Sequence, residues 1–251
     1  MYIDSHCHLD FDVFTPSRKA LIQTALAANI THFINPAVSF ANWHKVIELS
    51  QAFPFIIPAL GLHPVFCSEH TLDHLPELSK WVTANNIKFV GEIGLDKRYK
   101  DNYESQLLFF EAQIKIANKL KKPVIIHAVK SHHDIIGIIK KENFKHGGII
   151  HAFNANETIA NTYTDLGFKL GIGSILYHPS STLRKIIHTL DLDSLVLETD
   201  SPDMAPPNWD TKLNTPLSII PTCQLLADIL KKPANEIQSI FYRNTLKLCE
   251  L

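Results

Sequence analysis

The sequence predicts an α/β fold: eight parallel strands with helices between them, closed into a (β/α)8 barrel of the metal-dependent hydrolase type. Three observations predict it. Short β-rich runs recur eight times, as "YIDSHCH", "THFINPA", "FIIPALGLHP", "KFVGEIGLD", "PVIIHAV", "GIIHAF", "FKLGIGS" and "LVLETDSPD". Longer stretches with helical spacing separate most of them, among them "SRKALIQTALAANI", "ESQLLFFEAQIKIANKL" and "ETIANTYTDL". At 251 residues and 45% hydrophobic content, the chain has the length and apolar content for one such barrel.

Each element follows from its own residues. The first run alternates apolar and polar positions, as a strand buried on one face does, and places His6 and His8 on one side of it. An open doubly wound sheet would place a glycine-rich phosphate loop next, but "SHCHLDFDVF" contains no glycine. The fourth run ends around Glu92, the fifth at His127, the sixth at His151 and the eighth at Asp200. Residues 203–216, "DMAPPNWDTKLNTP", form one long turn-rich loop after the last strand. No composition shift or low-complexity segment marks a boundary, so the expectation is a single domain over residues 1–251.

Composition narrows the function. The formal net charge is -1, which excludes a broad positive track for duplex nucleic acid and confines any nucleic-acid contact to a few groups. The four cysteines form no CxxC pair, and the N-terminal residues are not those of a secretory signal, so reduced thiols and a cytoplasmic location are expected. No apolar run approaches the roughly 20 residues of a bilayer span, so no membrane association is expected.

In a barrel the C-terminal strand ends meet on one face. His6, His8, Glu92, His127, His151 and Asp200 would then converge. Taken singly, each has an ordinary reading, as a core histidine, a polar strand end or a turn former before Pro202. Taken together, five strands each ending in a metal-binding side chain define a candidate metal site. Cys7 has the opposite parity and should lie in the layer between strand and helices.

These segments also carry a resemblance. "DSHCHLD", "GLHP", "GEIGLD", "VIIHAV", "IIHAF" and "LETDSPD" resemble, in order and spacing, the motifs of the TatD family of metal-dependent deoxyribonucleases in the amidohydrolase superfamily. "FYRNTLKL" looks like that family's closing helix, and "ETDSPDM" is most similar to its YjjV branch. The resemblance implies two divalent metal ions per subunit, zinc, magnesium or manganese. It implies one ion on His6, His8 and Asp200, the other on His127 and His151, and Glu92 as the bridge.

It also implies cleavage of phosphodiester bonds by a metal-activated water, as a 3′ exonuclease on single-stranded DNA. Asp200 is the candidate general base and Glu92 the second catalytic carboxylate. The expected partner is a DNA 3′ end or another phosphoester, with no obligate protein partner. His63, Arg98 and Asn154 are the candidate substrate-binding residues, with Lys97, Lys100 and Trp209 as further surface candidates.

Two departures bear on substrate. The family often has His-x-Phe-Ser-Gly where this chain has "HAFNA", and commonly has Ser-Arg after the fifth-strand histidine where this chain has "AV" followed by Lys130. Neither touches an expected ligand. His132, His133 and His178 are expected at exposed helix or loop positions. The alternatives are a hydrolase of a carbonyl ester or amide, such as an aminoacyl ester on RNA, or of a small phosphoester, and a non-catalytic barrel stabilised by metal.

Overall fold

The computed structural model describes residues 1–211 and 213–250. Its strands are β1 (Tyr2–Asp4), β2 (Ile30–Pro36), β3 (Ile56–Leu60), β4 (Phe89–Asp96), β5 (Val124–Val129), β6 (Gly148–Ile150), β7 (Phe168–Ile172) and β8 (Leu195–Leu197). All neighbouring pairs are parallel, in the order β1 to β8. The barrel closes between its first and last strands: the Ser5 amide donates to the Leu197 carbonyl at 3.0 Å, Asp200 to His6 at 2.9 Å and His8 to Ser201 at 2.7 Å. The expected (β/α)8 TIM-barrel architecture is the one observed.

The helices on the outside include α1 (Arg18–Ala27), α2 (Trp43–Ala52), α3 (His74–Ala84), α4 (Tyr103–Leu120), α5 (His132–Lys141), α6 (Glu157–Asp165), α7 (Thr182–Ile186), α8 (Ile219–Leu230) and α9 (Ala234–Cys249). Each turns an apolar stripe inward, as Ile135, Ile138 and Ile139 of α5 illustrate. Local signals set their starts. The Asn156 side chain accepts from the Ile159 amide to begin α6, and Ser181 accepts from Arg184 to begin α7. No helix among the described residues is long and apolar enough to cross a membrane.

Strand parity divides the apolar core in two. Residues such as Phe33, Leu60, Val90, Ile126 and Leu170 face outward into the layer against the helices, and Cys7 is fully buried in that layer, as its parity predicts. Ile34, Ile57, Ala59, Phe89, Ile125, Ile149 and Val196 form a separate cluster, which is the packed interior of the barrel. Cys249, at the end of α9, joins that interior cluster.

The strands are shorter than the runs that predict them. His6 and His8 lie just beyond β1, His151 one residue beyond β6 and Asp200 three residues beyond β8, whereas Glu92 and His127 lie inside β4 and β5. Past these ends the backbone still pairs with its neighbours at single points, His8 with Ser201, His151 with Ile126 and Glu198 with Ile172, but no longer as a continuous ladder.

Candidate metal centre

Parity aims most of the site. On β5, Ile125 fills the interior and His127, two residues on, shares its face. The same step leads from Ile149 to His151, from Val196 through Glu198 to Asp200, and from Asp4 through His6 to His8. β4 departs from it. Phe89 points inward, so a period of two would turn Glu92 toward the helices. A register shift against β5 between Val90 and Ile93 inserts one residue, and Glu92 turns inward while Ile93 and Leu95 return to the outer layer. Gly61 of the β3 end makes room for this bulge: a Cβ there would lie 2.6 Å from the Glu92 carbonyl oxygen.

The six expected ligands come together at the C-terminal mouth. Glu92 Oε2 lies 3.2 Å from His6 Nε2 and 3.7 Å from His8 Nε2, and its Oε1 lies 3.3 Å from His127 Nδ1. Asp200 Oδ1 is 3.6 Å from both His6 Nε2 and His8 Nε2, and Oδ2 is 3.5 Å from His151 Nε2. The His6 and His151 rings stack at 3.7 Å. Among the described residues, three groups are compact enough to hold a metal ion: His6, His8 and Glu92; His6, His151 and Asp200; and His63, Glu92 and His127. Glu92 belongs to two of them through opposite oxygens.

Hydrogen bonds decide which nitrogens face the centre. His8 Nδ1 is 3.0 Å from the Pro36 carbonyl and must donate to it, which leaves the Nε2 lone pair facing the site. His127 is turned the other way, with Nε2 3.1 Å from buried Asp96 and Nδ1 presented to Glu92. His151 Nδ1 is 3.0 Å from Glu198 Oε1, close enough for a charge contact though not aligned as a hydrogen bond, and its Nε2 faces Asp200. Carboxylates behind ligating imidazoles fix tautomers in this way in metal sites. The residues fit a divalent cation on one further observation. His6 Nε2 and His8 Nε2 lie only 3.2 Å apart, both toward the carboxylates, an arrangement a shared cation satisfies.

His63 differs. Its Nδ1 accepts from the Val65 amide at 3.2 Å, so the neutral ring carries its proton on Nε2, which faces Glu92 Oε1 at 3.4 Å. A protonated Nε2 is a donor and not a ligand, which separates His63 from the other four histidines. Burial holds it neutral, with its pKa lowered to about 4, against the pull of Glu92.

Electrostatics follow from the packing. Burial opposes ionisation of Asp200, but His151, His8 and His6 outweigh it and hold the carboxyl well below the usual range. Burial likewise opposes ionisation of Glu92, and His63, His6 and His127 overcome it. The carboxylates act reciprocally. Although burial works against its proton, Asp200 and Glu92 raise His8 to about 9. His127 and His151 are raised against burial too, by Asp96 and Glu92 and by Glu198 and Asp200 respectively.

A cavity of about 750 Å3 opens above the centre, lined by His8, His63, Glu92, His127, His151 and Asp200 and by a rim that includes Arg98, Lys130 and Asn154. Arg98 reaches this rim, clamped to Asp96 through Nε at 3.0 Å and Nη2 at 2.5 Å. Asn154 also lines it, but its Oδ1 is used by the Leu183 amide, so part of this residue serves α7. Lys97 is tied to Asp134 at 2.7 Å, and Lys100 and half-buried Trp209 are not among the cavity's lining residues. His133 and His178 are exposed as expected. His132 is a correction: half-buried, it lines the cavity and contacts the Tyr163 hydroxyl through Nδ1 at 3.2 Å, because α5 begins at the rim.

Sequence reasoning missed Asp96, Glu198 and Asp4. Two of them carried a signal, since Glu198 and Asp4 stand two residues before Asp200 and His6, on the same face. Glu198 is 1% exposed and accepts from the Ala152 amide at 2.7 Å. Gly171 admits it, because a Cβ there would lie 2.1 Å from its Oε2. Asp4 receives the Thr199 hydroxyl at 2.6 Å and the His6 amide at 3.3 Å, binding β1 to the segment that carries Asp200.

The family model described as TatD related DNase matches residues 3–250. The chain belongs to that TatD family. It is 32% identical to the uncharacterized metal-dependent hydrolase YjjV of Escherichia coli K12, over 98% of this chain and 97% of that one. It is 31% identical to an uncharacterized metal-dependent hydrolase of Haemophilus influenzae, with 98% of each covered. The crystal structure of Escherichia coli YjjV, a TatD homologue, superposes with a TM-score of 0.94 at 31% identity, covering 100% of this chain and 98% of that one. A 5-methylcytosine deaminase from Klebsiella pneumoniae shares the fold alone, at a TM-score of 0.63 and 12% identity, with 98% of this chain and 74% of that one covered.

Proposed function

We propose that this TatD-family chain is a metal-dependent hydrolase that cuts phosphodiester bonds of DNA, working from a single-stranded 3′ end. The observation that carries the reading is Glu92, a buried carboxylate whose Oε2 faces His6 and His8 while its Oε1 faces His127, so that it could serve a cation on either side. In this reading His6, His8 and Asp200 would hold one divalent ion, zinc, magnesium or manganese, and His127 and His151 would hold the other. Such ions lower the pKa of bound water and take up charge on phosphoryl oxygens.

The chain's own groups do the rest. Asp200, ionised and at the cavity floor, accepts the proton of the attacking water and, because its carboxyl is a weak base, passes it on to solvent. His63 keeps a proton on Nε2 and donates to a phosphoryl or leaving oxygen. His127 is held in one tautomer by its hydrogen bond to Asp96, and the charge of Glu198 faces His151 Nδ1, so that neither imidazole has to turn during the reaction. Arg98 and the amide nitrogen of Asn154 face incoming substrate at the rim. The names of the relatives, uncharacterized metal-dependent hydrolases, support hydrolysis with metal; the family description supports DNA.

The test is digestion of a 5′-labelled single-stranded DNA with magnesium, manganese or zinc, and with chelator. The expected result is a metal-dependent ladder shortening from the 3′ end. Intact DNA in every metal, with the metals bound, would move the reading to carbonyl esters, amides or small phosphoesters.

A further inference from the structure

The cavity has two walls of opposite chemistry. Phe11, Val38, Val65 and Phe66 make one side apolar and aromatic. Among the described lining residues the fixed cations are Arg98 and Lys130, and both stand where β4 and β5 end. Past the bulge these strands keep their new register to their tips: Asp96 lies opposite Val129, and the Lys97 amide donates to the Val129 carbonyl at 3.0 Å. Arg98 and Lys130 therefore leave the sheet side by side.

Neither cation is loosely placed. Buried Asp96 grips the Nε and Nη2 edge of Arg98, which leaves the other edge of the guanidinium fork for a ligand. Lys130 is exposed, and its backbone is left-handed, with φ of 54°. A residue with a side chain adopts that conformation rarely and keeps it where the surroundings impose it. Here they do: the next residue, buried Ser131, donates its hydroxyl to the Leu95 carbonyl at 2.8 Å and pins the corner. The fixed charge on the opposite rim is Asp203, which repels a phosphate from that side.

Resting on the phosphodiester reading above, we propose that Arg98 and Lys130 form a subsite for a second phosphate, next to the one being cut. The enzyme would then favour oligonucleotides over isolated phosphodiesters. Between Glu92 and Arg98 stand only one imidazole and one carboxylate, in contacts of 3.3, 3.1 and 2.5 Å. One sugar-phosphate unit reaches across that span. The guanidinium edge recognises two phosphoryl oxygens at once, and the ammonium adds a point charge.

The experiment compares the dinucleotide TpT with pTpT, which carries one additional 5′ phosphate, on the metal-loaded enzyme. KM is read from hydrolysis and Kd from calorimetry. Wild-type protein should show KM and Kd about fivefold lower for pTpT, the worth of one solvent-open charge pair. In Lys130→Ala that ratio should fall to about two, the share left by the Arg98 contact, and Lys130→Arg should restore it. Each ratio is taken within one protein, so a loss of metal or fold affects both ligands alike. Equal KM and Kd in wild-type enzyme, or a ratio that Lys130→Ala leaves intact, overturns the subsite. Tighter binding of pTpT with neither dinucleotide cut keeps the subsite and removes the phosphodiester reading. Cleavage of both with equal KM does the reverse.

Discussion

The two ends of the barrel interior are built on the same strands by opposite chemistry. Lower down, Ile34, Ile57, Phe89, Ile125, Ile149 and Val196 fill the space with side chains that need no partner. One inward step higher, the ends of β5, β6 and β8 present His127, His151 and Glu198, whose polar atoms face other polar groups instead of apolar ones. The lower layer is a matter of volume and tolerates apolar exchange; the upper layer is a matter of charge and proton position. Stability and chemistry can therefore be altered separately here, although only two residues of backbone lie between them.

The largest expected effect is on turnover. Asp200→Asn keeps the size of the side chain but removes the proton acceptor, and should lower kcat by about 10²- to 10⁴-fold with the melting temperature close to wild type. A rate near wild type in a steady-state assay takes Asp200 out of the proton transfer. Phe89→Ala is the counterpart in the lower layer. It should cost about 3 to 5 kcal/mol in a denaturant titration while the folded fraction still binds metal. If metal affinity falls in step with stability, the two layers are coupled and the comparison fails.

Smaller effects belong to the residues behind the ligands. Asp96→Asn and Glu198→Gln should each weaken binding of one metal equivalent by about 10- to 100-fold, measured by competition with a chelating dye, because the imidazole in front loses its fixed tautomer. Unchanged affinity in both variants would make these carboxylates mere packing. The smallest effect is a proton count. His8 is raised to about 9 and His127 and His151 are raised as well, so at neutral pH the metal-free site holds protons that a cation must displace. Metal affinity should therefore fall as pH is lowered from about 9. Calorimetry in buffers of different ionisation enthalpy should show proton release near pH 7.5, and no release would mean the imidazoles are already neutral.

Much of this was legible in the sequence, for reasons specific to each element. The eight strands were readable because their apolar runs bury one face against helices and the other in the barrel, and three of the six candidate ligands, His127, His151 and Asp200, follow by counting in twos from a buried apolar residue, while His6 and His8 follow from Asp4. Glu92 sits on the expected strand, but the bulge that turns it inward leaves no periodic trace; only Gly61, in a different strand, hints at the close approach. Asp96 was hidden because the same bulge moves the parity of all that follows it on β4. The tautomers of His63 and His127 were beyond the sequence, since each depends on a single contact, the Val65 amide or the Asp96 carboxylate, that only the folded chain creates.

Whether Glu92 joins two metal sites is read from metal stoichiometry. Wild-type protein dialysed against zinc or manganese and analysed by elemental mass spectrometry should hold two equivalents per chain, and Glu92→Ala should hold fewer than one at the same free metal concentration. Two equivalents retained in Glu92→Ala would contradict the account.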